Sequence, residues 1–409
     1  MKINIEDEQI SFQVLRMLSE VSSEQADVNE VLNTVRTIRE GDYNSWYGEW
    51  ASTADRVCHI AEEFLAGHHL TSAAETFLRA SNYYRAAAFY RGVLMTENCS
   101  AETSDKLEQM DALALDCFQK VIQYGTTVIL PMEIPYEKTT LPALFYPVSK
   151  EEDTKTAPTL ILLNGYDGTK EEMHGIALKA LKRGMNCLSF EGPGQGEMIR
   201  RREIPFRPDW ENVLSPVVDF LIEKLGVNSQ KIILWGQSMG GYLAPRAAAF
   251  EHRLAACVAN SGVYDFMGER RPEGMEREEF FQNIATTPET KVDTIMKKQM
   301  AQSTQVNWAL RHGMYVFGVK NLKEFMLKAK YYYLGDVVQQ IKCPTLIVDS
   351  ENETNFPGQA KRLYDQLRCP KKYLLFTREQ DAAEHCEVGA KLFANSSTFN
   401  WIEETLQSI

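Results

Sequence analysis

The chain has 409 residues, of which 44% are apolar and 24% charged, the balance of a globular protein long enough for two or three domains or one large core with additions. A formal net charge of −12 argues against nucleic acid or an anionic membrane as the main partner, because phosphate binding takes a basic surface. No stretch reaches the roughly 18 apolar residues of a membrane span, and the opening MKINIEDEQISFQ lacks the apolar run of a secretion signal.

Eight cysteines occur as singletons: Cys58, Cys99, Cys117, Cys187, Cys257, Cys343, Cys369 and Cys386. None forms a CxxC pair, so neither a zinc site nor a thioredoxin-like redox site is expected. Cys187 and Cys257 lie inside apolar runs and read as buried thiols. A reducing, cytoplasmic setting with no metal site is the expectation.

Residues 1–122 read as helix and form one expected domain, a helical cap. The stretch EEFLAGHHLTSAAETFLRASNYYRAAAFYRGVLM spaces alanine and aromatic residues at helical intervals, and Gly67 divides it into two arms. No second copy follows at a fixed period, which argues against a repeat array.

Near residue 125 the texture changes, and residues 123–409 read as the second domain. TTVILPMEIPY and LPALFYPV open it as a pair of strands. TLILLNG, MNCLSFEG, KIILWGQ, AACVANSG, PTLIVDS and KKYLLFT follow, most of them separated by helical patterns. Continuous apolar strands alternating with helices predict an α/β fold with a mostly parallel, eight-stranded sheet covered on both faces. Sites in such sheets lie beyond the carboxyl ends of the strands. The interval 263–343 is too long for a structureless loop and is rich in aromatic residues. It reads as a helical insertion before the penultimate strand, either a lid over the carboxyl edge or a lateral excursion with a small core of its own.

KIILWGQSMGGYLAPRAAAF is the most informative stretch, because it sets G-x-S-x-G between a strand and an alanine-rich helix. A turn this tight forces Ser238 into a strained backbone and leaves no room for side chains on the flanking glycines. The serine then projects above the sheet, at the N-terminus of the following helix. Serine needs a base, and the base needs a third group to hold it. Of the seven histidines, His385 follows the last strand, at the carboxyl edge and C-terminal to an acidic stretch, TLIVDSENETNF. That stretch offers Asp349, Glu351 and Glu353 as candidates for the third group. An oxyanion would meet the backbone N–H of Met239 and one from the loop LLNGYDGTKEE, where Gly165 permits close approach and Tyr166 stands at the donor position. Asp167 in that loop reads either as a turn residue or as a polar substrate contact. The glycines and proline of EGPGQGE, after the fourth strand, read as a plain turn.

Together these elements resemble the α/β-hydrolase superfamily. LNGYDGTKEE, FEGPGQGE, FRPDWENVLSPVVDFL, GQSMGGYLAPRAAAFEHRLAACVANSGVYDF, HGMYVFGV and FPGQAKRLYDQL are similar to one branch of it, which holds 2,6-dihydroxypseudooxynicotine hydrolase, polyketide-shortening carbon–carbon hydrolases and related esterases. The N-terminal YNSWYGEW and ASNYYRAA resemble that branch's helical cap, so the likeness runs over nearly the whole chain. It implies a Ser–acid–His triad, no cofactor, a small-molecule substrate and, in some members, a homodimer. By the same resemblance the family's carboxylate falls at position 353, three residues after Ser350 and ahead of Phe356-Pro357, so Glu353 replaces an aspartate. Asp349 and Asp265 remain as alternative acids. An oxyanion-loop carboxylate found in the branch would fall near Asp167.

Three functions stay open on sequence. One is cleavage of a carbon–carbon bond in a β-dicarbonyl or polyketide-type substrate through an acyl-enzyme. The second is hydrolysis of a carboxylic ester or thioester, or acyl transfer. The third is a non-catalytic binding protein on the same fold. The aromatic insertion and the tyrosine- and tryptophan-rich cap suit a flat aromatic or polyketide substrate, with Tyr43, Trp46 and Tyr84 as candidate contacts, although ordinary core packing of the cap is the better account of most such residues.

Overall fold

The computed structural model describes residues 5–97, 100–148 and 151–408, so Cys99 lies outside the described residues. The chain divides into two compact units. The helical unit runs to Val128 and also takes in Asp293–Tyr315, and the catalytic unit comprises Ile129–Val292 and Val316–Ile409. A boundary at residue 122 would cut the helix Ala101–Tyr124 two residues short of its end. The interval 263–343 is indeed rich in helix (Arg277–Thr286, Glu289–Met300, Thr304–Phe317, Leu322–Ala329), but it is shared between the units instead of forming one body.

In the helical unit Tyr43–Ala66 and Leu70–Ala87 are joined by a short turn in which His68 takes φ 61°. So short a connection makes the two helices antiparallel neighbours. Asp42 caps the first of them by accepting from the Ser45 N–H. Between them Trp46, Trp50, Tyr83 and Tyr90 are fully buried and meet in tilted and edge-on pairs with centroids 5.3–5.7 Å apart. Two of the four polar tips are used locally: the Trp46 indole donates to the Ala86 carbonyl at 2.7 Å, and the Tyr83 hydroxyl donates to Glu30 at 2.7 Å. Trp308 from the returning segment stacks on Phe89 at 5.4 Å.

The catalytic unit is built on one sheet. Its strands are β1 Leu130–Tyr136, β2 Thr139–Tyr146, β3 Thr159–Leu163, β4 Asn186–Phe190, β5 Ile232–Gln237, β6 Leu254–Asn260, β7 Thr345–Ser350 and β8 Lys371–Phe376. They lie in the order β1-β2-β4-β3-β5-β6-β7-β8, antiparallel from β1 to β4 and parallel thereafter. The eight expected strands and their mostly parallel pairing are those observed. Every residue of β3, β4, β6 and β7 is buried, whereas the edge strands β1 and β8 are accessible over most of their length. Central strands are covered by helices on both faces, and that is why their sequences are uninterrupted apolar runs. The register sets the carboxyl ends of β3, β5, β6, β7 and β8 side by side, with Leu163 beside Gly236, Gln237 beside Asn260, and Ser350 beside Phe376.

The two ends of the insertion are pinned to one another. Phe266 N–H donates to the Tyr332 carbonyl, Leu334 N–H donates to the Tyr264 carbonyl, and Asp265 bridges to Tyr333. Among the described residues no helix is long and apolar enough to cross a membrane.

Candidate active site

Ser238 follows β5 directly and takes φ 58°, a conformation costing a non-glycine residue about 1–3 kcal/mol. The turn is held by neighbours on both sides. Ser238 N–H donates to the Asn260 carbonyl at 2.5 Å, and Gly241 N–H donates to the Ser238 carbonyl at 2.7 Å. A Cβ on Gly241 would stand 1.9 Å from the Ser261 carbonyl oxygen, so alanine cannot be placed there without moving the end of β6. The helix Gly240–Ala248 begins at this point, and the Met239 N–H belongs to its first turn, where amide groups have no partner within the helix.

His385 reaches the serine from the loop after β8. Its Nε2 lies 2.9 Å from Ser238 Oγ, and its Nδ1 lies 2.5 Å from Glu353 Oε2. The ring is aimed by an unusual backbone: Cys386 and Glu387, the next two residues, both take left-handed conformations at φ 51° and 50°. That reversal sends consecutive side chains to different partners. The Cys386 sulfur stays 3.5 Å from His385 Nε2, while the Glu387 carboxyl accepts from the Asn260 amide at 2.7 Å and from the Ser350 hydroxyl at 3.1 Å. Asn352 joins the acid loop to the histidine loop: its N–H donates to the Ala383 carbonyl and its side chain donates to Glu384.

Glu353 is thoroughly satisfied. Oε2 accepts from Ser261 Oγ at 2.5 Å in addition to the imidazole, and Oε1 accepts from the backbone N–H groups of Asn355 at 2.7 Å and Phe356 at 3.0 Å. Burial pushes its pKa up, but His385, the Ser261 hydroxyl and the Phe356 N–H outweigh burial and bring it down to about 2. Burial likewise disfavours the imidazolium, yet the neighbouring Cys386 sulfur and the Glu353 carboxylate raise the His385 pKa well above its ordinary value. At Glu387 burial dominates over the donors Asn260 and Ser350 and the charge of His385, and the carboxyl is pushed up to about 8.

The other candidate carboxylates face elsewhere. Asp349 accepts from the Tyr373 hydroxyl at 2.5 Å and from the Ser350 N–H at 2.9 Å. Asp265 lies against Arg277 at 3.3 Å and Arg271 at 3.7 Å. Glu351 is exposed and accepts from the Arg378 N–H. Neither alternative acid meets the imidazole.

Gly165, after β3, lies on the serine turn: a Cβ there would meet the Gln237 carbonyl and the Ser238 side chain at 2.8 Å and the Met239 nitrogen at 3.0 Å. Tyr166 and half-buried Asp167 follow it. The EGPGQGE loop is more than a plain turn, because Gln195 within it donates to the Asn164 carbonyl at 2.5 Å and the Gly165 carbonyl at 3.2 Å. Buried Lys170 clamps the same two loops together through Glu171 at 2.8 Å, Glu197 at 2.6 Å and Glu191 at 3.6 Å. Gln195, Ser261 and Glu387 were all missed on sequence. Their only signal there is a polar residue at a strand end or within a glycine-rich turn.

An aromatic wall stands beside this array. Phe356 lies 6.2 Å from the His385 ring and 5.7 Å from Phe266, and Phe266 in turn neighbours Tyr166, Phe317 and Phe325. The cap candidates have partners inside the helical unit: Tyr84 donates to Asp55, Trp46 donates to Ala86, and Tyr43 packs on Tyr90 and accepts from Asn307. Core packing accounts for all three. Among the described residues no group of three or more His, Cys, Asp or Glu is arranged to hold a metal ion.

A serine oxygen within hydrogen-bond reach of an imidazole, itself bonded to a buried carboxylate, can add to a carbonyl and pass its proton to the ring. Comparison with known proteins bears on the same residues. A family model described as alpha/beta hydrolase fold matches residues 158–385. The chain is 30% identical over 422 residues to Hydrolase LUC6 of a Fusarium species, covering 97% of this chain and 96% of that protein. It is 31% identical over 418 residues to Hydrolase ORFZ of Pyricularia oryzae (96% and 95% covered) and 29% identical over 415 residues to 20-hydroxy-prefusarin hydrolase FUS2 of Gibberella moniliformis (97% and 96%). The solved structure of 2,6-dihydroxy-pseudo-oxynicotine hydrolase shares the fold at a TM-score of 0.72 and 23% identity over 95% of both chains.

Proposed function

The chain belongs to the α/β-hydrolase fold family, and on that premise we propose that it is a serine hydrolase with Ser238 as nucleophile, His385 as base and Glu353 as the acid that holds the base. The observation carrying the reading is the unbroken hydrogen-bonded line from Ser238 Oγ through the imidazole to Glu353, at 2.9 and 2.5 Å. Ser238 Oγ adds to a substrate carbonyl while His385 Nε2 takes its proton. The oxyanion is met by the backbone N–H groups of Met239 and Tyr166. Glutamate serves in place of aspartate because the acid loop turns back on its own carboxylate, with the Asn355 and Phe356 N–H groups fixing Oε1 and leaving Oε2 for the ring.

The substrate we propose is a β-dicarbonyl of aromatic or polyketide type. Collapse of the tetrahedral adduct breaks the carbon–carbon bond between the carbonyls. The bonding pair leaves as an enolate, which takes a proton from the His385 imidazolium or from water. Water activated by His385 then releases the acyl group from Ser238 as a carboxylic acid. The aromatic wall of Phe266, Phe317, Phe325 and Phe356 supports a flat apolar substrate. The same residues would cleave an ester or thioester, with an alkoxide or thiolate departing in place of the enolate.

Labelling with a fluorophosphonate probe tests the nucleophile. Modification of Ser238 is the expected result, and an unlabelled Ser238 would return the chain to a binding role. Mass spectrometry of the products from a 1,3-diketone and from a simple aryl ester separates carbon–carbon from ester cleavage. Turnover of the ester alone would make the enzyme an esterase.

A further inference from the structure

The segment after β6 holds three arginines whose charges are met unequally. Arg271 and Arg277 share the fully buried Asp265, at 3.7 and 3.3 Å. Arg270 has no acidic partner among the described residues. Its guanidinium donates to the Phe266 carbonyl oxygen at 2.8 Å, and its cation lies 5.6 Å from the centroid of the Phe266 ring. Among the three, then, Arg270 alone keeps its guanidinium clear of a carboxylate among the described residues.

The position of Arg270 gives that exception a meaning. Phe266, over which the guanidinium sits, is 6.1 Å from Tyr166 and 5.7 Å from Phe356, the ring that neighbours His385. Tyr166 follows the glycine that touches Ser238, and the Tyr166 phenol and Arg270 act electrostatically on one another. Arg270 keeps an exposed surface. Even so, burial presses its pKa below the ordinary arginine value, against the influence of Tyr166. Arginine stays charged even so, and its planar fork matches a carboxylate or enolate through two parallel hydrogen bonds.

We infer that Arg270 binds an anionic oxygen of the substrate, either a carboxylate or the ionised enol of a 1,3-dicarbonyl, while the carbonyl under attack lies at Ser238. The inference rests on the proposed hydrolase activity and adds to it a substrate class, an acidic carbonyl compound. Asp265 keeps Arg271 and Arg277 out of that role and fixes the loop from which Arg270 projects.

A matched pair of probes tests this: 4-nitrophenyl hydrogen glutarate, which carries a free carboxylate, and its neutral methyl ester. The wild type should prefer the anionic probe. Arg270→Met keeps the apolar stem and removes the charge. It should lower kcat/KM on the anionic probe about 10- to 100-fold, the range of a charged hydrogen bond, and change the neutral probe by less than about threefold. Arg270→Lys should fall between the two. Equal losses on both probes, or none on the anionic one, would overturn the inference. Calorimetric binding of the same probes to Ser238→Ala, with and without Arg270→Met, keeps the test independent of turnover. If the wild type hydrolyses neither probe, the hydrolase reading suffers, and the binding arm still decides Arg270. Ultraviolet difference spectra with acetylacetone identify the anion. An enolate band induced by wild type but not by Arg270→Met assigns the enol, and selectivity for the glutarate probe alone assigns the carboxylate.

Discussion

The helical unit and the catalytic unit each bury a pair of opposite charges, and the pairs are built for different ends. In the helical unit Arg91 meets Asp111, with side chains 5% and 8% exposed, and also donates to the Leu107 carbonyl. In the catalytic unit His385 meets Glu353, with side chains 8% and 3% exposed. Arginine is charged at any pH a protein meets, so the first pair is static. Histidine gains and loses its proton near neutrality, so the second can change its charge within a turnover. The surroundings differ accordingly. Arg91 and Asp111 sit on regular helices, whereas His385 is aimed by two left-handed residues and Ser238 is itself a third. The Arg91–Asp111 pair suits rigidity because it cannot titrate, and the His385–Glu353 pair suits the proposed chemistry because it can.

This contrast can be broken in several places. The largest effect should come from Ser238→Ala or His385→Ala, each lowering turnover on the order of 10⁴-fold or more while the unfolding midpoint stays near that of the wild type. Next is Asp111→Ala, which strands Arg91 in the interior and should cost about 3–5 kcal/mol by urea denaturation. An unshifted midpoint would show that this pair contributes no stability. Glu353→Gln should lower kcat by roughly 100-fold or more. It should also displace the pH–rate profile. Activity needs neutral His385 and so rises with pH through the His385 pKa. Glu353 is one of the groups holding that pKa high, so its loss should move the acidic limb to lower pH. A limb that stays put would detach Glu353 from the histidine.

A smaller effect is expected at Glu387. Its carboxyl is raised from 4.5 to about 8 in the folded protein, so its contribution to stability is fully present below pH 4.5 and is lost as pH rises towards 8. Glu387→Gln cannot ionise and should gain stability relative to wild type as pH passes through that window, read as a diverging pair of melting curves. Asp349→Asn should change kcat by less than about threefold, because its carboxylate serves Tyr373 and not the imidazole.

Much of the fold was legible in the chain. Strand runs, their alternation with helices and the turn around Ser238 are local patterns, and the backbone obeys local patterns wherever burial agrees with them. The strand-end positions of Ser238 and His385 could be read the same way. The aromatic residues of the cap could not be sorted. A tyrosine that contacts substrate and one that bonds a neighbouring helix have the same spacing, and only packing showed Tyr84 spent on Asp55. The insertion was readable as helix, but not its division at Asp293 and Tyr315.

By itself the sequence determined the succession of strands and helices and the strained turn at the serine, since each depends on residues within a few positions of one another. Only the tertiary structure separated Glu353 from the alternative acids at His385, brought Ser261 and Gln195 to the site, and left Arg270 without an acid among the described residues. Those outcomes depend on side chains separated by 32, 92 and 31 positions for His385–Glu353, Ser261–Glu353 and Gln195–Asn164, and brought together by strand register. A carboxylate has the same chemistry at 349 as at 353. The direction in which the folded backbone points it determines whether it reaches the imidazole.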